Sequence, residues 1–179
     1  MRNNNWYVIT GGPGSGKTTT INLLKERGFN VAEEVARAYY ESQMALGITN
    51  EQIRSNPQKL QDGIAKELIE LEQRLNPEDR IFLDRAIPDN LAYYDFYNLQ
   101  VPEFLKEAYD ECSYKTVFYL DQVSFAIDNV RTETEEETRK LSKLTHASYK
   151  RKNIETINVP AMDRDVRVDF ILNHIKNTT

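Results

Sequence analysis

The 179-residue chain has one cysteine, Cys112, so it cannot form an internal disulfide framework, and this suits a reducing compartment. Cys112 itself reads as a small residue packed near the start of a strand. Histidine is almost as scarce. His146 and His174 have no cysteine or histidine neighbours at metal-ligand spacing, which argues against a zinc site. No apolar run approaches the ~20 residues of a membrane helix, and no apolar signal core follows Met1-Arg-Asn-Asn-Asn5. The expectation is a cytoplasmic protein with no membrane partner. Basic charge is also in deficit: 23 lysines and arginines face 28 acidic residues, a net charge of −5. That balance argues against a nucleic-acid partner held by a basic face. The short cluster Lys150-Arg-Lys152 ends a predicted helix, where cations are favoured anyway.

Glycine is sparse too, and its distribution is uneven. Four of the seven glycines lie within Gly11, Gly12, Pro13, Gly14, Ser15, Gly16, Lys17, Thr18 and Thr19. This stretch fits the phosphate-loop pattern G-x-x-x-x-G-K-[ST] and sits between an apolar run, Trp6–Thr10, and a helix-like run from Gly16 to Arg27. A triphosphate is a dense anion, and backbone N–H groups can surround it only where side chains do not crowd the approach. The following helix would aim its positive end at the phosphates, Lys17 would reach the outer phosphates, and the Thr18 hydroxyl would ligate Mg²⁺. A glycine-rich turn with no ligand explains neither the lysine nor the hydroxyl at fixed offsets.

The remaining chain alternates short apolar strands with helices. Strands are expected at Phe29–Ala32, Arg80–Asp84, Thr116–Leu120 and Ile154–Val159. Helices are expected at about 35–46, 56–75, 88–97, 102–112, up to Lys152, and 163–176. The pattern implies one α/β domain over residues 1–179 with a parallel sheet of five strands and helices on both faces. In such sheets ligands bind at the carboxyl ends of the strands. Those ends carry the phosphate loop, Glu33-Glu34, Asp84-Arg85 and Asp121, so carboxylates should gather near the triphosphate.

Phosphoryl transfer needs an aligned acceptor, a metal ion and cations that stabilise charge on the moving group. Asp84 is the first choice for an acid acting on Mg²⁺, directly or through water, or as the base orienting an acceptor hydroxyl; Asp121 is a weaker metal candidate. Arg85 could hold an anionic group or simply neutralise Asp84. Glu34 and Arg37, three apart on one helix face, are candidates for contacting the acceptor, although a plain ion pair would look the same. The glutamate-rich segment at about 124–140 reads as a lid, with Arg131 at its base stabilising charge and Arg139 paired with Glu135 on a solvated helix. Tyr93, Tyr94 and Tyr97 could line an acceptor pocket or pack in the core.

Taken together, Gly11–Thr19, Glu34-x-x-Arg37, Phe82-Leu-Asp-Arg85 with Asp89 and Tyr93, Val130-Arg-Thr-Glu133 and Arg167-Val-Asp-Phe170 resemble a family of small P-loop proteins. This is the AAA-domain-like ATPase and kinase family that includes ribosylnicotinamide kinase domains. The resemblance covers nearly the whole chain. It implies a three-layer P-loop NTPase fold with strand order 2-3-1-4-5, ATP with Mg²⁺ as cofactors, a lid around Arg131 and a base-binding loop near Pro160–Met162. It also implies catalytic roles for Lys17, Asp84, Arg85 and Arg131 and an acceptor site including Glu34, Arg37, Arg85 and Asp89. Asn129 stands where the family pattern has glycine.

Rival nucleotide-binding classes lack their marks here. No Asn-Lys dipeptide offers N-K-x-D, no aspartate stands three residues before a glycine, and Leu141-Ser-Lys-Leu does not continue as L-S-G-G-Q. Two readings remain: a kinase moving the terminal phosphate of ATP to a small acceptor, such as a nucleoside or nucleotide, and a regulatory switch that hydrolyses nucleotide without an acceptor. Carboxylates at the ends of strands two and three favour the kinase.

Overall fold

The computed structural model describes residues 4–122 and 134–177. Arg131 and the 124–133 part of the expected lid lie outside the described residues, as does Asn129. The described elements are β1 (Trp6–Thr10), α1 (Lys17–Glu26), β2 (Asn30–Ala32), α2 (Val35–Ala45), α3 (Asn50–Arg54), α4 (Pro57–Arg74), β3 (Ile81–Asp84), α5 (Ile87–Tyr97), α6 (Glu103–Glu111), β4 (Thr116–Leu120), α7 (Glu135–Arg151), β5 (Thr156–Val159) and α8 (Arg164–Asn177).

All four strand pairings are parallel and the order is β2-β3-β1-β4-β5, the order implied by the resemblance. Side chains alternate across a strand, and β1 shows the consequence. Trp6 and Val8 enter a core with α4, α5, α6 and α7, where Leu68, Tyr94, Leu105 and Tyr149 are buried. Tyr7 and Ile9 enter a second core with α1 and α8, among Ile21, Leu24, Val168, Ile171 and Ile175. A central strand buried on both faces reads as an unbroken apolar run, which is why Trp6–Thr10 shows no polar alternation.

Helix ends follow local chemistry. Asn56 caps α4 by accepting the Lys59 amide hydrogen at 2.9 Å, and Pro57 occupies the first turn without losing a hydrogen bond. Leu60, Ile64 and Leu68 then recur every fourth residue on the buried face. The short helix α3 was not anticipated from periodicity because five residues carry too little of it. Its local signal was a capping box, Thr49 accepting from Gln52 N at 3.2 Å and the Gln52 side chain accepting from Thr49 N at 2.9 Å.

Helices α2 and α3 lie over α4 as a thin roof. A third, small cluster of Ile53, Leu60 and Ile64 joins them, flanked by Ala36, Tyr39, Tyr40 and Ile48. No residue of α2 is fully buried. Gly63 on α4 allows the close approach, because a Cβ there would stand 2.3 Å from the Tyr39 hydroxyl oxygen.

Candidate active site

The phosphate loop turns β1 into α1. Gly11 has φ of 142°, and an added Cβ would sit 2.5 Å from the Leu120 carbonyl oxygen of the neighbouring strand, so only glycine fits. Gly16, at φ 83°, precedes α1 in the left-handed region. No side chain caps α1 and no acid stands in its first turn, so its amide hydrogens and positive end face outward for an anion. Lys17 is buried and donates to the carbonyls of Gly11 at 2.9 Å and Gly12 at 2.8 Å. Burial foremost, then the Arg85 charge, lowers its affinity for a proton, while Asp84, Glu34 and Asp89 oppose this.

Asp84 and Glu34 gather around that lysine, as their places at strand ends implied, and Asp89 of α5 joins them in place of Asp121. Asp84 ends β3 and is buried, with Oδ1 lacking any hydrogen-bond partner. Burial, with the Glu34 charge added, raises its pKa against the pull of Lys17 and Arg85. Glu34, at the start of α2, takes Arg85 rather than Arg37 as its partner, accepting from Arg85 Nε at 3.0 Å. Burial pushes the Glu34 carboxyl up, but the charges of Arg85 and Lys17 outweigh it and the group is held below its ordinary value.

Arg85 takes a φ of 70°, uncommon for a residue with a Cβ. Its guanidinium lies 5.6 Å from the Tyr93 ring centroid and 3.6 Å from Asp89 Oδ1, and its buried Nη1 has no hydrogen-bond partner. Burial works against the charge, but Tyr93, Glu34, Asp89 and Asp84 more than restore it. Asp89 is committed to the frame: Thr10 and Tyr149 donate their hydroxyl hydrogens to it, and Ala86 N donates to Oδ2 at 3.0 Å.

From Lys17 and Thr18 a pocket of about 130 Å³ runs beneath α2 and α3. Glu34, Asp84, Arg85, Arg37 and Arg54 line it, together with Tyr40, Gln61, Asn90, Tyr93 and Tyr97. Arg37 is exposed at the junction with a second groove that carries Glu33 and Glu67. At the deep end Asn90 Nδ2 donates to Gln61 Oε1 at 2.9 Å, while the buried Asn90 Oδ1 has no partner. The tyrosines divide: Tyr93 and Tyr97 face the pocket, and Tyr94 is fully buried with its hydroxyl donating to Asp62 at 2.5 Å.

A family model described as an AAA domain matches residues 6–167, most of the chain. The chain belongs to this AAA-domain family. No curated protein matches it in sequence. Solved structures with the same fold include a deoxyadenosine kinase from M. mycoides bearing dCMP and dCDP, with TM-score 0.68 and 18% identity, covering 97% of this chain and 100% of that one. A thymidylate kinase from Candida albicans has TM-score 0.70 and 15% identity, covering 98% and 92%. A NadR protein in complex with NR has TM-score 0.67 and 16% identity, covering 88% of this chain and 46% of that one.

The donor set of this AAA domain fits Mg²⁺. The Thr18 hydroxyl and the unpartnered Asp84 Oδ1 are hard oxygen donors lining the same pocket. Among the described residues no group of three or more His, Cys, Asp or Glu could enclose a metal alone. The arrangement therefore suits an ion that shares its coordination with phosphate oxygens and water. Asp121, the weaker metal candidate, is exposed at the end of β4, and its charge acts on Arg167.

Two residues that build the AAA-domain site carry no sequence signal of their contact with the phosphate loop, although Arg167 belongs to the Arg167-Val-Asp-Phe170 stretch that carried the resemblance. Gln122 donates to the Pro13 carbonyl at 3.2 Å, and Arg167 Nη1 donates to the Ser15 carbonyl at 2.7 Å. Both reach the loop across more than 100 positions, which no motif spacing reports. Gln61 and Asn90 could have been flagged, since each is a polar residue among the mostly apolar buried residues of its helix.

Proposed function

We propose that the protein is a kinase that moves the terminal phosphoryl group of ATP, taken as its Mg²⁺ complex, to a hydroxyl of a nucleoside-type acceptor. The observation that carries this reading is the continuity of one pocket from Lys17 and Thr18, through Glu34, Asp84 and Arg85, to the amide pair of Gln61 and Asn90. A nucleotide switch needs the first part of that pocket but has no use for the rest.

In this reading Lys17 leaves the loop carbonyls for the outer phosphates, and Thr18 and Asp84 hold Mg²⁺, which when bound neutralises charge on the phosphates. Glu34, kept ionised by its neighbours, accepts the proton of the acceptor hydroxyl. The bond from acceptor oxygen to phosphorus forms as the bond to the bridging oxygen breaks, and ADP leaves. Arg85, whose Nη1 makes no hydrogen bond among the described residues, faces the negative charge that accumulates on the moving group. Asp89 orients Arg85 and ties β1, α5 and α7 together rather than touching substrate. The aromatic walls Tyr93 and Tyr97 suit a planar base, and Asn90 with Gln61 suits an edge that carries both a donor and an acceptor.

The test is ATP turnover over a panel of nucleosides, pyridine nucleosides and nucleotides, with products weighed by mass spectrometry. Stimulation by one class with a phosphorylated product is expected. Slow hydrolysis that no acceptor stimulates would instead support the regulatory switch.

A further inference from the structure

The phosphate loop does not hold its shape alone. Two of its carbonyls are fixed by side chains from elsewhere in the chain, Gln122 taking that of Pro13 and Arg167 that of Ser15, while Lys17 within the loop takes those of Gly11 and Gly12. In a trans peptide the C=O and the following N–H point in opposite directions. A carbonyl drawn outward therefore turns the next N–H inward, toward the concavity where phosphate oxygens bind.

Arg167 is the most unusual of these partners. It lies in the first turn of α8, is only 3% exposed, and reaches the residue just before Gly16-Lys17. Its other donors, Nε and Nη2, are buried without a hydrogen-bond partner among the described residues. A guanidinium in such a place is costly for folding alone, since a long apolar side chain would fill the space without stranding two donors. Helix α8 is held firmly enough to set the position. Val168, Ile171 and Ile175 bury against the sheet, and Arg27 of α1 pairs with Asp165 at 3.2 Å and with Asp169.

We infer that Arg167 is a positioning residue for the nucleotide: by holding the Ser15 carbonyl it aims the Gly16 amide into the phosphate site, and it sets triphosphate affinity without touching the acceptor. This rests on the reading that the loop binds a nucleoside triphosphate. The role separates affinity from stability. Replacing Arg167 with methionine removes the peptide's anchor and also the two stranded donors, so nucleotide binding weakens while the fold does not.

Calorimetric titration of MgATP into wild type, Arg167→Met and Arg167→Lys, beside thermal melts without nucleotide, tests it. Arg167→Met should raise the MgATP Kd about tenfold or more, the scale of one charge-assisted hydrogen bond, at an equal or higher Tm. Arg167→Lys, which keeps the charge and one donor, should fall between, and the acceptor KM should not change in either variant. A Kd within twofold of wild type in Arg167→Met, or a loss of affinity matched by a fall in Tm, overturns the inference. If Arg167→Met does not fold, Arg167→Lys decides by the same pairing of Kd against Tm. Wild type that binds MgATP no better than Lys17→Ala would instead overturn the kinase reading itself.

Discussion

Glu72 should make the protein lose stability as pH rises toward neutrality, and glutamine at this position should abolish the effect. The carboxylate is buried under α5, where it accepts the Tyr114 hydroxyl hydrogen at 2.9 Å to Oε1 and 3.0 Å to Oε2, and the Ile87 amide hydrogen at 3.4 Å. Burial pushes its pKa from 4.5 to about 7; the two hydrogen bonds pull it down and the Asp89 charge raises it further. In the folded protein the group therefore holds a proton between these two values that the unfolded chain has already lost. Stability attributable to this site is undiminished below pH 4.5, falls through the interval, and levels off above about 7. The shift corresponds to at most about 3 kcal/mol, at about 1.4 kcal/mol per unit. For a chain of this length that is roughly 6–12 °C in Tm. Glu72→Gln keeps the shape and an acceptor for Tyr114 while removing the charge. Denaturant unfolding of both proteins from pH 4.5 to 8 is the assay. The difference in unfolding free energy should swing toward Gln by up to about 3 kcal/mol across that range, other carboxylates cancelling in the subtraction. A difference that stays flat with pH would refute the reasoning.

At the site itself, Asp84→Asn should lower kcat by about 100-fold or more and raise the Mg²⁺ concentration needed for half-maximal rate, read from steady-state kinetics over a metal titration. Glu34→Gln should cost about 100-fold or more in acceptor-stimulated turnover yet leave MgATP affinity within a few-fold, since in the proposed reaction it meets the acceptor and not the phosphate loop. Gly11→Ala should abolish nucleotide binding measured by calorimetry, because the added methyl would overlap the Leu120 carbonyl 2.5 Å away. Gly63→Ala should displace Tyr39 and lift α2 from α4, costing about 1–3 kcal/mol in chemical unfolding and raising the acceptor KM more than the ATP KM. Adding Tyr39→Ala to Gly63→Ala should recover part of that loss if the clash is its cause.

The layered fold was legible because each strand is a brief apolar run closed by a turn or an acid, and because Gly11–Thr19 names both its own conformation and its ligand. Asp84 and Glu34 were legible for the same reason, since parallel topology alone carries strand ends to one edge. What stayed hidden depends on tertiary distance. The partner of Glu34 is Arg85, 51 positions away, rather than Arg37 one turn along its own helix. Asp89, an acceptor ligand by resemblance, lines the pocket and also accepts from Thr10, Tyr149 and the Ala86 amide, contacts that no motif spacing reports. The tyrosine run showed why periodicity alone cannot sort core from pocket: Tyr94 turns into the core, while its neighbour Tyr93 and Tyr97 one turn on face the cleft.

The distribution of unmet polar atoms carries the argument one step beyond geometry. Buried donors and acceptors in folded proteins are nearly always paired, because an unpaired one costs about 1–3 kcal/mol. Among the described residues, Asp84 Oδ1, Arg85 Nη1 and Asn90 Oδ1 are buried without hydrogen-bond partners at one pocket, as are Arg167 Nε and Nη2 beside its loop, while the other such atoms, Thr145 Oγ1 among them, stand elsewhere. In the proposed reaction the two oxygens and the cationic nitrogen at the pocket complement a metal ion, a hydrogen-bond donor on a planar acceptor and a transferring phosphoryl group. Folding bears the cost of these groups in advance, so a ligand that satisfies all of them recovers it on binding. One that reaches only the phosphate loop leaves Asn90 unpaired. Acceptor and nucleotide should therefore protect the fold together more than the sum of each alone, whereas a switch that needs only nucleotide would show the full protection with MgATP by itself. Melts with MgADP, with acceptor, and with both will separate these outcomes, and strict additivity would remove the case for a shared pocket.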